Sequence, residues 1–196
     1  MAAKKAKKAA KPAAKANAKP KAKAKPAAKP AAKVAAAPAA KPRSGPKVGD
    51  KAPDFTLPTD AGPISLAALR GKPVVVYFYP KDDTPGCTRE ACTFNDNLPN
   101  FGALKAEIVG ISKDAAASHA RFREKYGLKF HLASDADTKV QKAYGVWVEK
   151  MNYGRSYMGT ERSTFLVDKD GVIRAAWRSV KVDGHVEKVL EAAKGL

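Results

Sequence analysis

Residues 74–92 read VVVYFYPKDDTPGCTREAC, and the fold turns on how that stretch divides. Val74 to Tyr79 is a run of β-branched and aromatic residues stopped by Pro80. So short an apolar run, with punctuation at its end, predicts a strand buried on both faces, at the centre of a sheet. Alternation along it places Tyr77 and Tyr79 on the same face. Lys81 to Gly86 is rich in turn formers and reads as a loop. A helix is expected from about Cys87 to Leu98, with Pro99 limiting its extension.

Upstream, Ala52-Pro53-Asp54-Phe55 is a rigid lead-in, and Ser65 to Leu69 reads as a short helix ended by Gly71. Downstream, Ala106 to Ile111 is a second strand. Asp114 is expected to cap a helix to Tyr126, with Phe122 and Tyr126 on one face and His119 and Arg123 on another, and Gly127 closes it. Leu132 to Ser134 reads as a short strand and Thr138 to Tyr144 as a short helix. Thr164–Val167 and Val172–Trp177 form a hairpin around Asp168-Lys169-Asp170-Gly171. A last helix runs from about Asp183 to Lys194. The order, β-α-β-α-β-(α)-β-β-α, implies an α/β fold with a mixed sheet flanked by helices, compatible with a thioredoxin-like layout.

The formal net charge of +18 over 196 residues is unevenly distributed. Residues 1–47 hold fifteen Lys or Arg and no Asp or Glu, so of the 37 basic residues 22 remain to face all 19 acidic ones from Val48 onward. The chain thus divides into a basic Lys/Ala/Pro arm, 1–47, and a near-neutral body, 48–196, long enough to bury one core. Seven prolines and like-charge repulsion deny the arm a long helix, and its scarcity of large apolar side chains denies it a core; it is expected to be disordered. No apolar run approaches the roughly 20 residues of a membrane span, and no h-region of a secretory signal follows the first lysines. An organellar transit peptide would favour Arg and Ser, whereas residues 1–42 contain neither. The expected location is bacterial cytoplasm, with nucleoid association through the arm, or a nucleus in a eukaryote.

Two cysteines, Cys87 and Cys92, stand five apart in a chain with no others. A secreted disulfide scaffold would spread more of them over longer loops, so a reactive pair in a reducing compartment fits better. Cys87 follows a strand and a Pro-Gly turn at a helix start, where unpaired N–H groups and the positive end of the helix dipole favour a thiolate. Thr84 can bring a hydroxyl near the sulfur, and Arg89 and Arg162 are the basic residues expected to matter electrostatically. On an intact helix, five positions mean roughly 7.5 Å of rise and about 140° of rotation, while a disulfide wants Cα atoms within about 7 Å and converging Cβ vectors. The pair should stay reduced while the helix is intact and bond only after its first turns unwind.

Pro80-x-x-x-Thr84-x-x-Cys87 resembles the peroxiredoxin active-site motif. The longer run YFYPKDDTPGCTREAC, with the APDF lead-in and YGRSYMGTERSTFLVD, is similar to the Q-type branch, the bacterioferritin-comigratory-protein group. The resemblance covers essentially all of residues 48–196. It implies a thiol peroxidase acting on hydrogen peroxide and organic hydroperoxides, with no metal or organic cofactor. Cys87 resembles the peroxidatic cysteine, oxidised to a sulfenic acid, and Cys92 the resolving cysteine that closes a Cys87–Cys92 disulfide reduced by thioredoxin. By the same resemblance, Thr84 bonds the peroxide, Pro80 shields the site from water, Arg162 stabilises thiolate and developing oxyanion, and Glu90 orients Arg162. A monomer is expected.

Other readings are weaker. A thioredoxin-like dithiol oxidoreductase would want C-x-x-C, which is absent. Zinc binding lacks ligand spacing, and His119, His131 and His185 are expected at the surface. Asp82-Asp83 reads as a solvated turn. From a different class comes a nucleoid-binding protein in which the arm, similar to linker-histone tails, binds DNA without sequence preference and the body is a passenger.

Overall fold

The sheet opens with a hairpin, β1 (Thr56–Thr59) and β2 (Gly62–Ser65), followed by a single 3-10 turn at Ala67–Leu69. The computed structural model describes residues 45–152 and 154–196, so the expected disorder of residues 1–44 of the arm lies outside the described residues, while Pro46 O accepts from Arg178 Nη2 at 3.2 Å. β3 (Val74–Phe78) is buried at all five positions, as an apolar run at the centre of a sheet must be. Helix α1 (Pro85–Asp96) follows, and a second helix, α2 (Leu98–Ala103), carries Pro99 in its first turn. Pro99 therefore starts a helix as well as ending one, because the first turn needs no N–H from it.

Then come β4 (Glu107–Ser112), α3 (Ala116–Tyr126), β5 (His131–Ser134), α4 (Lys139–Ala143), β6 (Trp147–Asn152), β7 (Arg155–Thr160), β8 (Ser163–Val167), β9 (Ile173–Trp177) and α5 (His185–Ala193). Strand order in the main sheet is β2-β1-β5-β4-β3-β8-β9, with β6 and β7 pairing separately as a two-stranded hairpin. β3, β4 and β5 run parallel through crossover helices, while β8 and β9 add antiparallel. This is the mixed, thioredoxin-like α/β sheet that the element order implies.

Alternation along β3 divides the core in two. Val74, Val76 and Phe78 join Val109, Ile111, Phe165 and Tyr144 on one face. Val75, Tyr77 and Tyr79 join Phe94, Phe101, Phe122 and Val186, from α1, α2, α3 and α5, on the other. Helix α3 ends at Gly127, whose φ of 62° is left-handed and whose N–H bonds back to the last turn. Its N-terminus departs from expectation. Ala115 occupies the cap position, while the Asp114 carboxylate accepts from the Asp82 N–H at 2.7 Å and the Ser112 hydroxyl at 3.0 Å.

Gly110 lies under the ring of Tyr77. A Cβ added there would sit 2.7 Å from Cζ and from the hydroxyl of that ring. The ring has little room to retreat, because it stacks on Phe94 at 4.8 Å and on Tyr79 at 5.4 Å between centroids. Gly110→Ala should destabilise the fold by about 1–3 kcal/mol, seen as a lower urea midpoint; an unchanged midpoint would show that the ring can give way.

Candidate active site

The register of β8 on β3 decides what the site contains. Phe78 pairs with Ser163, so Arg162 arrives at the C-terminal end of β3, where the chain turns toward Cys87. Backbone bonds fix Arg162 on both sides: the Glu161 N–H donates to Val146 O at 2.7 Å, and the Arg162 carbonyl accepts from Val180 N at 2.9 Å. Seventy-five residues of sequence separate it from Cys87, yet its Nη2 lies 3.1 Å from Cys87 Sγ. Its Nη1 pairs with Glu90 Oε2. The guanidinium passes over Gly86, where an added Cβ would lie 3.4 Å from Nη2.

Cys87 is the third residue of α1, after Pro85 and Gly86. Pro85 suits the first helical position because its fixed φ matches the helix and its missing N–H would have been unpaired. Cys87 is buried at 2 % exposure, in the core cluster that also holds Tyr77, Tyr79 and Ala91. An Arg N–H aimed at its sulfur and the N-terminal end of a helix both favour negative charge there. Pro80 is half-buried at the strand end. Thr84 takes the N-cap position with φ −93° and ψ 149°, and its hydroxyl donates to Lys81 O at 3.1 Å instead of capping the helix.

Both cysteines are free thiols, and both lie within the continuous helix α1. Cys92 is half-buried; burial first, then Asp96, push its thiol above the ordinary range. Arg89 does not join the site. It pairs with Asp183 at 2.7 Å on the surface, so of the two arginines only Arg162 reaches the sulfur.

Several residues near the site escape a linear reading. Lys150, in β6, donates to Thr160 O; burial pushes its ammonium down, while Glu161 and Cys87 pull it up. His119 and His185, expected at the surface, are buried. His185 Nε2 lies 2.7 Å from the Thr164 hydroxyl, and burial, then Lys188 and Arg162, push its pKa down to about 4. Asp82, expected in a solvated turn, is also buried. Helix and strand periodicity could not have signalled these, because their partners come from other elements. Among the described residues no cluster of three or more His, Cys, Asp or Glu could hold a metal.

A family model described as the AhpC/TSA family matches residues 48–176. The chain is 47 % identical over 146 residues to peroxiredoxin Bcp of Bacillus subtilis, covering 74 % of this chain and 93 % of the relative. Among solved structures it is similar to a cysteine-to-serine variant of Xylella fastidiosa PrxQ, with TM-score 0.73 and 39 % identity, covering 78 % of this chain and 98 % of the other. A variant of the same kind of Xanthomonas campestris peroxiredoxin Q gives TM-score 0.70 and 45 % identity, covering 72 % and 90 %.

Glu90 offers a test of the geometry. Its side chain is fully buried, with Oε1 lacking a partner among the described residues. Burial pushes its pKa from 4.5 up to about 7, against the opposing pull of Arg162. An acid whose pKa is raised by folding binds its proton more tightly in the native state. Its contribution to stability is therefore present below about 4.5 and lost as pH rises through about 7. Glu90→Gln, which keeps an oxygen for Arg162, should flatten the pH dependence of the urea midpoint across that window; an unaltered slope would remove Glu90 as its source.

Proposed function

Because the chain belongs to the AhpC/TSA family, in its peroxiredoxin Q/Bcp branch, and is a thiol peroxidase, we propose that Cys87 meets the peroxide and Cys92 resolves it. The observation that carries this reading is the Arg162 guanidinium at 3.1 Å from Cys87 Sγ, at the start of a helix.

The chemistry follows from charge. The Cys87 thiolate attacks one oxygen of a hydroperoxide; an S–O bond forms as the O–O bond breaks. The leaving alkoxide or hydroxide takes a proton, and Cys87 is left as a sulfenic acid. Negative charge passes from sulfur to the leaving oxygen, and Arg162, half-buried and oriented by Glu90, can stabilise it at both ends. Thr84 supplies a hydroxyl three residues before the sulfur, and Pro80 covers the approach from β3. Cys92 then attacks the Cys87 sulfur, expelling water and forming the disulfide. In the wound helix, burial disfavours the Cys92 thiolate. Unwinding exposes that thiol and brings the two sulfurs together.

A thioredoxin-type dithiol reduces the disulfide; because one helix holds both thiols, resolution needs no second chain and a monomer suffices. None of the described helices is long and apolar enough to cross a membrane. A reactive cysteine pair fits a reducing compartment, the bacterial cytoplasm or, in a eukaryote, the nucleus. On this reading residues 48–196 are the catalytic domain.

Cys87→Ser should abolish peroxide reduction. Cys92→Ser should react once and stop with an oxygen adduct on Cys87, read by mass spectrometry after one equivalent of peroxide. Arg162→Ala should lower the second-order rate by roughly 10²–10³, by analogy with an oxyanion-hole donor. Full thioredoxin-linked turnover by Cys87→Ser sinks the assignment.

Residues 1–47 carry a second proposal, favoured by their fifteen basic residues and no acid. Lysines and phosphates make sequence-independent contacts, so the arm binds DNA without preference and delivers the enzyme to nucleic acid. With six phosphates engaged, affinity should fall about 10³-fold between 50 and 200 mM salt. Deleting residues 1–47 should eliminate DNA retention in gel shifts and leave peroxide kinetics nearly unchanged. Equal retention by the truncated chain would falsify the arm's role.

A further inference from the structure

Apart from the cysteine site, the most heavily bonded buried polar cluster is Tyr79, Asp82 and His119, which the peroxide chemistry above does not use. Asp82 lies in the loop between β3 and α1, and His119 comes from α3. The Tyr79 hydroxyl donates to Asp82 Oδ1 at 2.7 Å, and His119 Nδ1 lies 2.9 Å from Oδ2 and 3.1 Å from Oδ1. A carboxylate only accepts, so both neighbours act as donors. Burial works against this carboxylate, but the bonds from His119 and Tyr79 outweigh it and hold its pKa below the usual range.

The next residue is tied as well, at the surface. Asp83, in a left-handed conformation with φ 55°, takes both contacts of Lys125 Nζ, at 2.7 and 2.9 Å, and the Tyr126 hydroxyl at 2.5 Å. Two consecutive acids thus fasten the catalytic loop to both ends of α3.

The consequence for Thr84 runs through one peptide plane. Lys81 C=O and Asp82 N–H belong to the same peptide group, which is planar. Its N–H donates to Asp114 Oδ2 at 2.7 Å, and its carbonyl accepts from the Thr84 hydroxyl at 3.1 Å. Rotating that plane would release Asp114 and Thr84 together. The Asp82 side chain, clamped by His119 and Tyr79, opposes the rotation. A buried carboxylate–imidazole pair is a poor source of stability; what it supplies here is orientation.

We infer that Tyr79, Asp82 and His119 are positioning residues for peroxide reduction, fixing the Lys81–Thr84 segment so that the Thr84 hydroxyl is presented from a constant place while α1 winds and unwinds. This rests on the assignment of Cys87 and Thr84 proposed above. The unit acts on the encounter with peroxide, where a hydroxyl must meet the incoming oxygen. It has no part in alkylation of the same sulfur by iodoacetamide, which needs only an accessible thiolate.

The test uses the full chain carrying Cys92→Ser, so that only the first step is seen, and compares second-order rates of Cys87 with hydrogen peroxide and with iodoacetamide. His119→Leu, which removes the donor, should lower the peroxide-to-iodoacetamide ratio about 10- to 100-fold, the scale of a small misplacement. His119→Asn, whose amide nitrogen can stand where Nδ1 stands, should recover most of that loss. Fraying of α1 would instead change both rates together. An unchanged ratio in His119→Leu overturns the inference, as does a fall that His119→Asn leaves unrepaired. Should the leucine variant not fold, Tyr79→Phe keeps the ring and removes one donor; a fall of about 3- to 10-fold is expected, and an unchanged ratio again overturns it. Peroxide consumption by a chain lacking both thiols would bring down the assignment of Cys87 itself, a failure distinguishable from an unchanged ratio.

Discussion

The Arg162 guanidinium is held between a sulfur and a carboxylate in the interior, and the site depends on that bridge. Arg162 and Glu90 lose hydration that costs several kcal/mol per ion in a protein interior. They compensate only if the geometry is good, and two elements supply it. The β8 register sets Arg162 at the end of β3, and Pro85 starts α1 so that Cys87 and Glu90, three residues apart, face the same side. The cation therefore meets the Cys87 sulfur and the Glu90 carboxyl on one turn of one helix. Unwinding that turn separates Arg162 from both partners at once.

The same helix sets a limit to its own opening. Ala91 and Phe94 are buried beside Tyr77, and Phe94 stacks on the Tyr77 ring and packs against Phe101. Exposing Phe94 would cost about 1.5–3 kcal/mol in lost burial alone. Unwinding that stops before Phe94 frees both cysteines without paying that cost. Cys92 is suited to the arrangement, since it is half-buried and lies between two buried positions, Ala91 and Phe94, on the edge of the apolar face.

How legible this was in the sequence depended on how local each cause is. β3 could be read directly from an apolar run ended by Pro80, and so could most of α1, although Pro85 and Gly86, read as loop, open the helix because proline suits its first position. Arg162 was singled out together with Arg89, and only the resemblance to a family told the two apart; nothing in its neighbourhood points 75 residues back to a sulfur. The β1–β2 hairpin was hidden by Pro58 and Pro63, which would argue against a central strand yet pair with each other near the edge of the sheet. β6 and β7 were hidden because a two-stranded hairpin with exposed Met151, Tyr157 and Met158 lacks the alternation of a half-buried strand. Asp82 read as solvent-facing because turn residues usually are, and its neighbour Asp83 is indeed exposed. Their partners lie 37 to 43 positions on, at opposite ends of α3, and only the parallel crossover from β3 to β4 brings them back.

The chain on either side of Thr84 thus has two opposite mechanical characters. Upstream, the loop is tied by side chains from a different helix and by Tyr79, whose N–H continues the sheet onto Ile111 O. Downstream, α1 begins with bonds that are local to itself, the first from Thr88 N to Thr84 O at 2.8 Å. Local i to i+4 bonds can open one turn at a time, whereas a carboxylate bonded from two elements cannot yield without losing all its donors together. On the proposed mechanism Cys87 belongs to the part that must move, and the Thr84 hydroxyl to the part that must not. Thr84 is the boundary between them: its carbonyl serves the helix, and its hydroxyl serves the loop.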